Sequence, residues 1–209
     1  MVLRRLVQLY LGLALYGASM ALFLRSTLGN MPWDVLHQGI ERYVPVSFGT
    51  ITIATGVIVL LLWIPLRQRP GLGTVSNVLV IGVVVDLALR VLAAPSNLAL
   101  RILLLVAGVV LNAVATALYI GARFGPGPRD GLMTGIVAKY GWPTRLVRTV
   151  LEVAVVAVGF ALGGTLGIGT LVYALAVGPL VHPLLPLLRV PERSVGPAPA
   201  TREPAEMPA

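Results

Sequence analysis

The chain has 209 residues, 57% of them hydrophobic and 11% charged, where a soluble domain would carry about 25% charge. So few charges cannot cover a water-facing surface, which excludes a soluble domain and points to an integral membrane protein. The lack of cysteine excludes disulfides, thiol catalysis and cysteine metal sites, and arginine in cytoplasmic loops accounts for the net charge of +8 without nucleic-acid binding.

Arg4 and Arg5 precede an apolar run from Leu6 to Leu24. A secretory signal has an apolar core of roughly 7–15 residues and a small-residue cleavage site. This run is longer and ends at Arg25, so a retained helix is expected. About 20 helical residues cross the hydrocarbon core, and comparable runs follow at Phe48–Leu66, Val75–Leu92, Ile102–Ile120, Leu146–Leu162 and Thr170–Leu188. The sequence thus predicts an all-α, polytopic bundle of six spans forming a single transmembrane domain over residues 1–189. With the N-terminus in the cytoplasm, Arg25, Arg42, Arg90 and Arg101 fall outside and the other twelve of the 16 basic residues fall inside. That bias orients membrane proteins, and it predicts both termini on the cytoplasmic side. The Pro- and Ala-rich segment 190–209 is expected to be a disordered cytoplasmic tail.

A motif divides the chain. Gly29-x-x-Pro32-x-Asp34-x-Leu36-x-x-Gly39 recurs as Gly125-x-x-Pro128-x-Asp130-x-Leu132-x-x-Gly135, each position displaced by 96. The same offset relates Gly71-Leu72-Gly73-Thr74 to Gly167-Ile168-Gly169-Thr170, and Gly82 to Gly178. The repeats cover about 6–94 and 102–189, each with three spans and a short amphipathic helix that is either interfacial or re-entrant. Three is odd, so the second copy enters from the opposite side and the halves are inverted. Many secondary transporters are built this way, with sites near the midplane. Proline suits the first turn of a helix, which places Pro32 and Pro128 at the starts of the short helices. Asp34 and Asp130 then fall in the first turn, either as helix-start residues facing the positive dipole end or as groups lining a path, paired with Arg25, Arg129 or a cation. The Gly-x-Gly-Thr pairs read as tight turns with Thr74 or Thr170 as N-cap.

Ionisable residues inside spans are costly and are functional candidates. Arg148 and Glu152 lie four apart in the fifth span, as a structural pair or a substrate site, and the first copy has Thr52 and Gly56 there. Asp86 can pair with Arg90 on one helix face and aligns with His182, which sits between Pro179 and Pro183. Asn112 aligns with Tyr16, and both can hydrogen-bond across helices. Asp34, Asp130, Arg129, Arg148 and Glu152 are the path or gating candidates, with Asp86, His182 and Asn112 secondary. There is no His-Glu-x-x-His and no Gly-x-Ser-x-Gly, and His37 and His182 are the only histidines. No enzyme activity, cofactor or metal is expected.

The stretches Asn30-Met31-Pro32-Trp33-Asp34-Val35-Leu36, Gly127-Pro128-Arg129-Asp130-Gly131-Leu132-Met133 and Val147-Arg148-Thr149-Val150-Leu151-Glu152, over about residues 4–189, resemble the YczE/YyaS/YitT group of bacterial integral membrane proteins, closest to its YczE branch. The resemblance implies a polytopic cell-membrane protein whose group is associated with secondary-metabolite production. Two functions are compatible with it: a small-solute transporter or channel-like protein, and a non-transporting membrane scaffold or regulator. Lipid is the expected partner; a small solute, a second copy of the chain or another membrane protein are the further ones.

Overall fold

In hydrocarbon every backbone N–H and C=O must be satisfied within the protein, and a helix does this within one segment. The computed structural model describes residues 2–190, and among them every regular element is a helix. The order is α1 (Val2–Ser26), α2 (Pro32–Glu41), α3 (Phe48–Trp63), α4 (Leu72–Val91), α5 (Leu98–Gly121), α6 (Pro128–Tyr140), α7 (Thr144–Ala161) and α8 (Ile168–Leu188). Of the segment 190–209, expected to be a disordered tail, Val190 is buried and donates to the Gly121 carbonyl at 3.1 Å, and 191–209 lie outside the described residues. Four helices, α1, α4, α5 and α8, are long and apolar enough to cross a membrane. The other two expected spans are also helices. α3 is apolar but has 16 residues, about 24 Å at 1.5 Å each, and α7 carries Arg145, Arg148 and Glu152.

The largest helix pair is α1 with α5, flanked by α4 on α1 and α8 on α5. Leu9, Leu13, Met20 and Phe23 of α1 form the main core with Ile81 and Val85 of α4 and Leu105 and Val109 of α5. Glycine allows the close approach: a Cβ on Gly12 would stand 2.8 Å from the Tyr119 nitrogen of α5, and one on Gly17 2.8 Å from the Ile81 oxygen of α4. Gly12 therefore faces α5 and Gly17 faces α4. α2 packs on α7, and α6 packs on α3 and α7. Trp63 of α3 donates from Nε1 to the Pro128 carbonyl at 3.0 Å and anchors the start of α6.

The two connections that precede the short helices have one backbone path. Thr27 and Arg123 both take left-handed φ, 55° and 59°, and Gly29 and Gly125 follow at 122° and 114°. Each connection accepts the start of a distant helix: Gly73 donates to the Phe124 carbonyl at 2.9 Å and Gly169 to the Leu28 carbonyl at 2.8 Å. The expected threonine N-caps are corrected here. The N-caps are Gly71 and Gly167, because a side chain at either would overlap the carbonyl of Phe124 or Leu28. Thr74 and Thr170 sit three residues on and accept from the cap N–H at 3.2 and 3.4 Å.

Pro32 and Pro128 do begin α2 and α6. α2 is not an interfacial amphipathic helix with a wet polar face, because Asp34 and His37 are fully buried with Val35. It is inserted into the protein.

Overpacking a tight contact costs about 1–3 kcal/mol. Gly71→Ala and Gly167→Ala should each lower the unfolding temperature in detergent. Gly178→Ala, where a Cβ meets nothing within 4 Å, should leave it unchanged or slightly raised; equal losses at all three sites would contradict the packing described.

Candidate functional site

The starts of α2 and α6 meet. The Arg129 guanidinium carbon stands 4.9 Å above the ring of Trp33, and the two residues occupy the same motif position, 96 apart. Arg129 also reaches Asp34, with Nη2 3.8 Å from Oδ1. Beside this contact lies a cavity of about 460 Å³ lined by both halves of the chain. Trp33, His37, Thr52 and Thr55 come from the first half, and Arg129, Asp130, Arg148, Glu152, Tyr173 and His182 from the second. A second hollow of about 540 Å³ shares Ile120, Asp130, Met133 and Leu185 with it and adds Arg123 and Arg189 at one end of the bundle.

Among the candidate residues, Asp130, Arg129, Arg148, Glu152 and His182 line this cavity. Asp130 accepts from the Tyr119 hydroxyl at 2.8 Å. Arg148 Nε bonds Glu152 Oε1 at 3.0 Å, one turn apart, and both groups remain partly exposed. His182 lies on the exposed cavity side of α8, where Pro179, Pro183 and Pro186 do not interrupt the helix.

Asp34 stands behind the cavity wall, with no exposed surface. Its counterpart has a hydroxyl donor in Tyr119, but the residue 96 before Tyr119 is Phe23. Neither Asp34 oxygen has a hydrogen-bond partner. Its neighbours are Arg129 and the His37 Nδ1, 3.3 Å from Oδ1. A buried carboxylate with so little compensation is costly.

Two secondary candidates lie elsewhere. The expected Asp86–Arg90 pair is absent among the described residues. Asp86 instead accepts from the Gly49 N–H at 2.7 Å and from the Ser47 hydroxyl, which caps the start of α3. A helix N-terminus offers unpaired N–H groups and a positive dipole end, a better partner than an exposed arginine one turn away. Arg25, offered as a partner for the motif aspartates, donates to the Leu89 carbonyl. Asn112 is buried and donates to Ser19 Oγ of α1 at 2.9 Å, an inter-helix bond away from the cavity.

His37, Tyr119 and Trp33 also line the cavity, and none was among the residues expected there. The spacing of His37 three residues after Asp34 puts them on one helix face and was the available signal. The Tyr119 and Trp33 roles depend on contacts between distant helices.

The fold and this polar cavity define a multi-helix membrane protein. The chain belongs to the family of unknown function DUF6198, whose profile matches residues 3–185. It is similar to an uncharacterised protein of Haemophilus influenzae, 37% identical over 174 residues that cover 83% of this chain and 80% of that one. It is also similar to the uncharacterised membrane protein YczE of Bacillus subtilis, 31% identical over 76% of this chain and 74% of that one. The uncharacterised protein YyaS of the same organism is 27% identical over 85% and 90%. No solved structure matches the chain.

Burial holds His37 below its ordinary value of 6.5, and the nearby Asp34 carboxylate works against that shift. A depressed histidine favours the neutral ring in the folded state. Its stabilisation is present above about 6.5 and is lost as pH falls through the lower folded value. The groups facing the ring are Asp34, Arg129 and Thr52. The unfolding temperature should therefore fall as pH drops below about 6.5, and less steeply for His37→Gln. Identical acid profiles for the two proteins would contradict a neutral buried His37.

Proposed function

We propose that the chain is a six-span inner-membrane carrier of a small molecule, built from two inverted three-span repeats with both termini in the cytoplasm. The observation that carries this reading is the central cavity walled by both motif copies. The recurring backbone path at Thr27–Gly29 and Arg123–Gly125 supports a duplicated unit. So does the reciprocal docking of each connection on the other half, Gly73 to Phe124 and Gly169 to Leu28. With three spans per copy the halves take opposite orientations, and the short helices enter from opposite faces as discontinuous helices do at the midplane sites of secondary transporters.

The volume, about 460 Å³, falls in the range of roughly 300–1,000 Å³ typical of ligand pockets. Positive helix starts and Arg129 favour an anionic group, and Asp34 and Asp130 limit that preference. Asp34, Asp130 and Arg129 form the gate, because they lie where the two halves touch. Arg148 and Glu152 form a second polar station, found in one half only.

The cysteine-free chain permits a direct test. Thr116→Cys, on the cavity wall, should react with a membrane-impermeant maleimide added to either face of oriented vesicles. Val106→Cys, on the exposed side of α5, should not react. A Thr116→Cys protein that reacts from neither face, or from one face only under all conditions, would contradict the carrier reading.

A further inference from the structure

The two halves differ in how their last two helices meet. α3 and α4 are locked together. A Cβ on Gly82 would stand 2.5 Å from Ile53 Cγ1 and 2.7 Å from the Gly49 oxygen, and Asp86 of α4 caps α3. α7 and α8 make no comparable contact. The residues 96 after Gly49, Gly56, Gly82 and Asp86 are Arg145, Glu152, Gly178 and His182. Two glycines at the closed seam are thus replaced by long charged side chains. The third remains glycine, yet a Cβ there would meet nothing within 4 Å. The cavity wall continues along this open seam, through Arg148, Leu151 and Glu152 of α7 and Val181, His182 and Leu185 of α8.

The seam is greasy outside and charged at one end. Val150, Val153, Leu171 and Leu175 are exposed on the outer surfaces of the two helices and must face acyl chains. Arg148 is four residues from the start of α7 and His182 six from the end of α8, about 6 and 9 Å along their axes, so both sit at the same end of the bundle. At that end the second hollow carries Arg123 and Arg189 against Asp130.

We infer that the α7–α8 seam is a lateral portal, and that the cavity takes a single-chain amphiphile with an acidic head from the bilayer. Its apolar body passes between Leu151 and Val181, and its head is received by Arg148, His182 and Arg189. A molecule crossing between two lipid-facing helices must already reside in the bilayer, which disfavours a purely polar solute. At about 460 Å³ the cavity is near the lower part of the roughly 300–1,000 Å³ range for ligand sites, so one chain fits and a two-chain phospholipid does not. The inference rests on the central cavity as a binding site and specifies its ligand and its door.

The full chain in phosphatidylcholine vesicles would be irradiated with palmitate carrying a diazirine in its chain, and the labelled peptides mapped by mass spectrometry. Labels should concentrate on 147–153 and 177–185. Unlabelled palmitate should compete, and hexadecanol should compete several-fold less well. Gly178→Leu, which fills open space, and the double variant Arg148→Gln with Arg189→Gln should each lower seam labelling several-fold. Label spread evenly over lipid-facing helices, including Leu103 and Val106 of α5, would overturn the portal. So would competition by phosphatidylglycerol as effective as that by palmitate, which would make a bilayer phospholipid the occupant. If the seam stays unlabelled while Thr116→Cys still reacts with the maleimide, the portal fails and the central cavity stands. If Thr116→Cys is also unreactive, the cavity reading fails with it.

Discussion

The arrangement depends on one contact, the Arg129 guanidinium lying over Trp33 and reaching the buried Asp34. Trp33 and Arg129 are the same position in two copies of one motif, and here that position touches its own counterpart. At such a place two identical side chains would meet like with like. Two arginines would repel, and two tryptophans would leave Asp34 without a cation. The divergence into one ring and one cation resolves this: the ring quadrupole attracts the guanidinium, and the guanidinium partly offsets the carboxylate. Both short helices are thereby brought tip to tip beside the cavity, with Asp130, Arg148, Glu152 and His182 on its wall.

Around the junction the halves have diverged in a consistent direction. The first half is closed. Gly49, Gly56 and Gly82 let α3 and α4 approach, and Asp86 is consumed as a helix cap. The second half is open, with Arg145, Glu152 and His182 at the matching positions. Asp34 and Asp130 have diverged likewise, one buried without a hydrogen-bond donor and the other held by Tyr119. Charged side chains in the looser half are costly in lipid, and the asymmetry agrees with the lateral entrance proposed for that half.

Much of this was legible in the sequence. Apolar runs, Pro32 and Pro128 as helix starts, and the 96-residue displacement depend on local pattern alone, and the helices follow them closely. The residues that failed were those whose partners lie far along the chain. Asp86 looked paired with Arg90 because only same-helix neighbours are visible in a sequence, and its actual partner is the start of α3. Thr74 looked like a cap because threonine favours that position, and the crowding by Phe124 that demands glycine instead comes from another segment. Whether α2 lies on the membrane surface or enters the protein is likewise a tertiary question. Its polar side carries Asp34 and His37 in either case, and distant segments cover them, Phe48 and Thr52 of α3 beside His37 and Arg129 of α6 beside Asp34.

Trp33 and Arg129 join the two halves through a direct contact, and a double-mutant cycle measures it. Trp33→Ala, Arg129→Gln and the double variant would be compared by reversible unfolding in detergent. The altered environment of Asp34 appears in both arms that remove Arg129 and cancels. A coupling of about 0.5–2 kcal/mol is expected, with the double variant less destabilised than the sum of the single ones. Additivity within about 0.3–0.5 kcal/mol would mean that the two motif copies do not touch, and would contradict it.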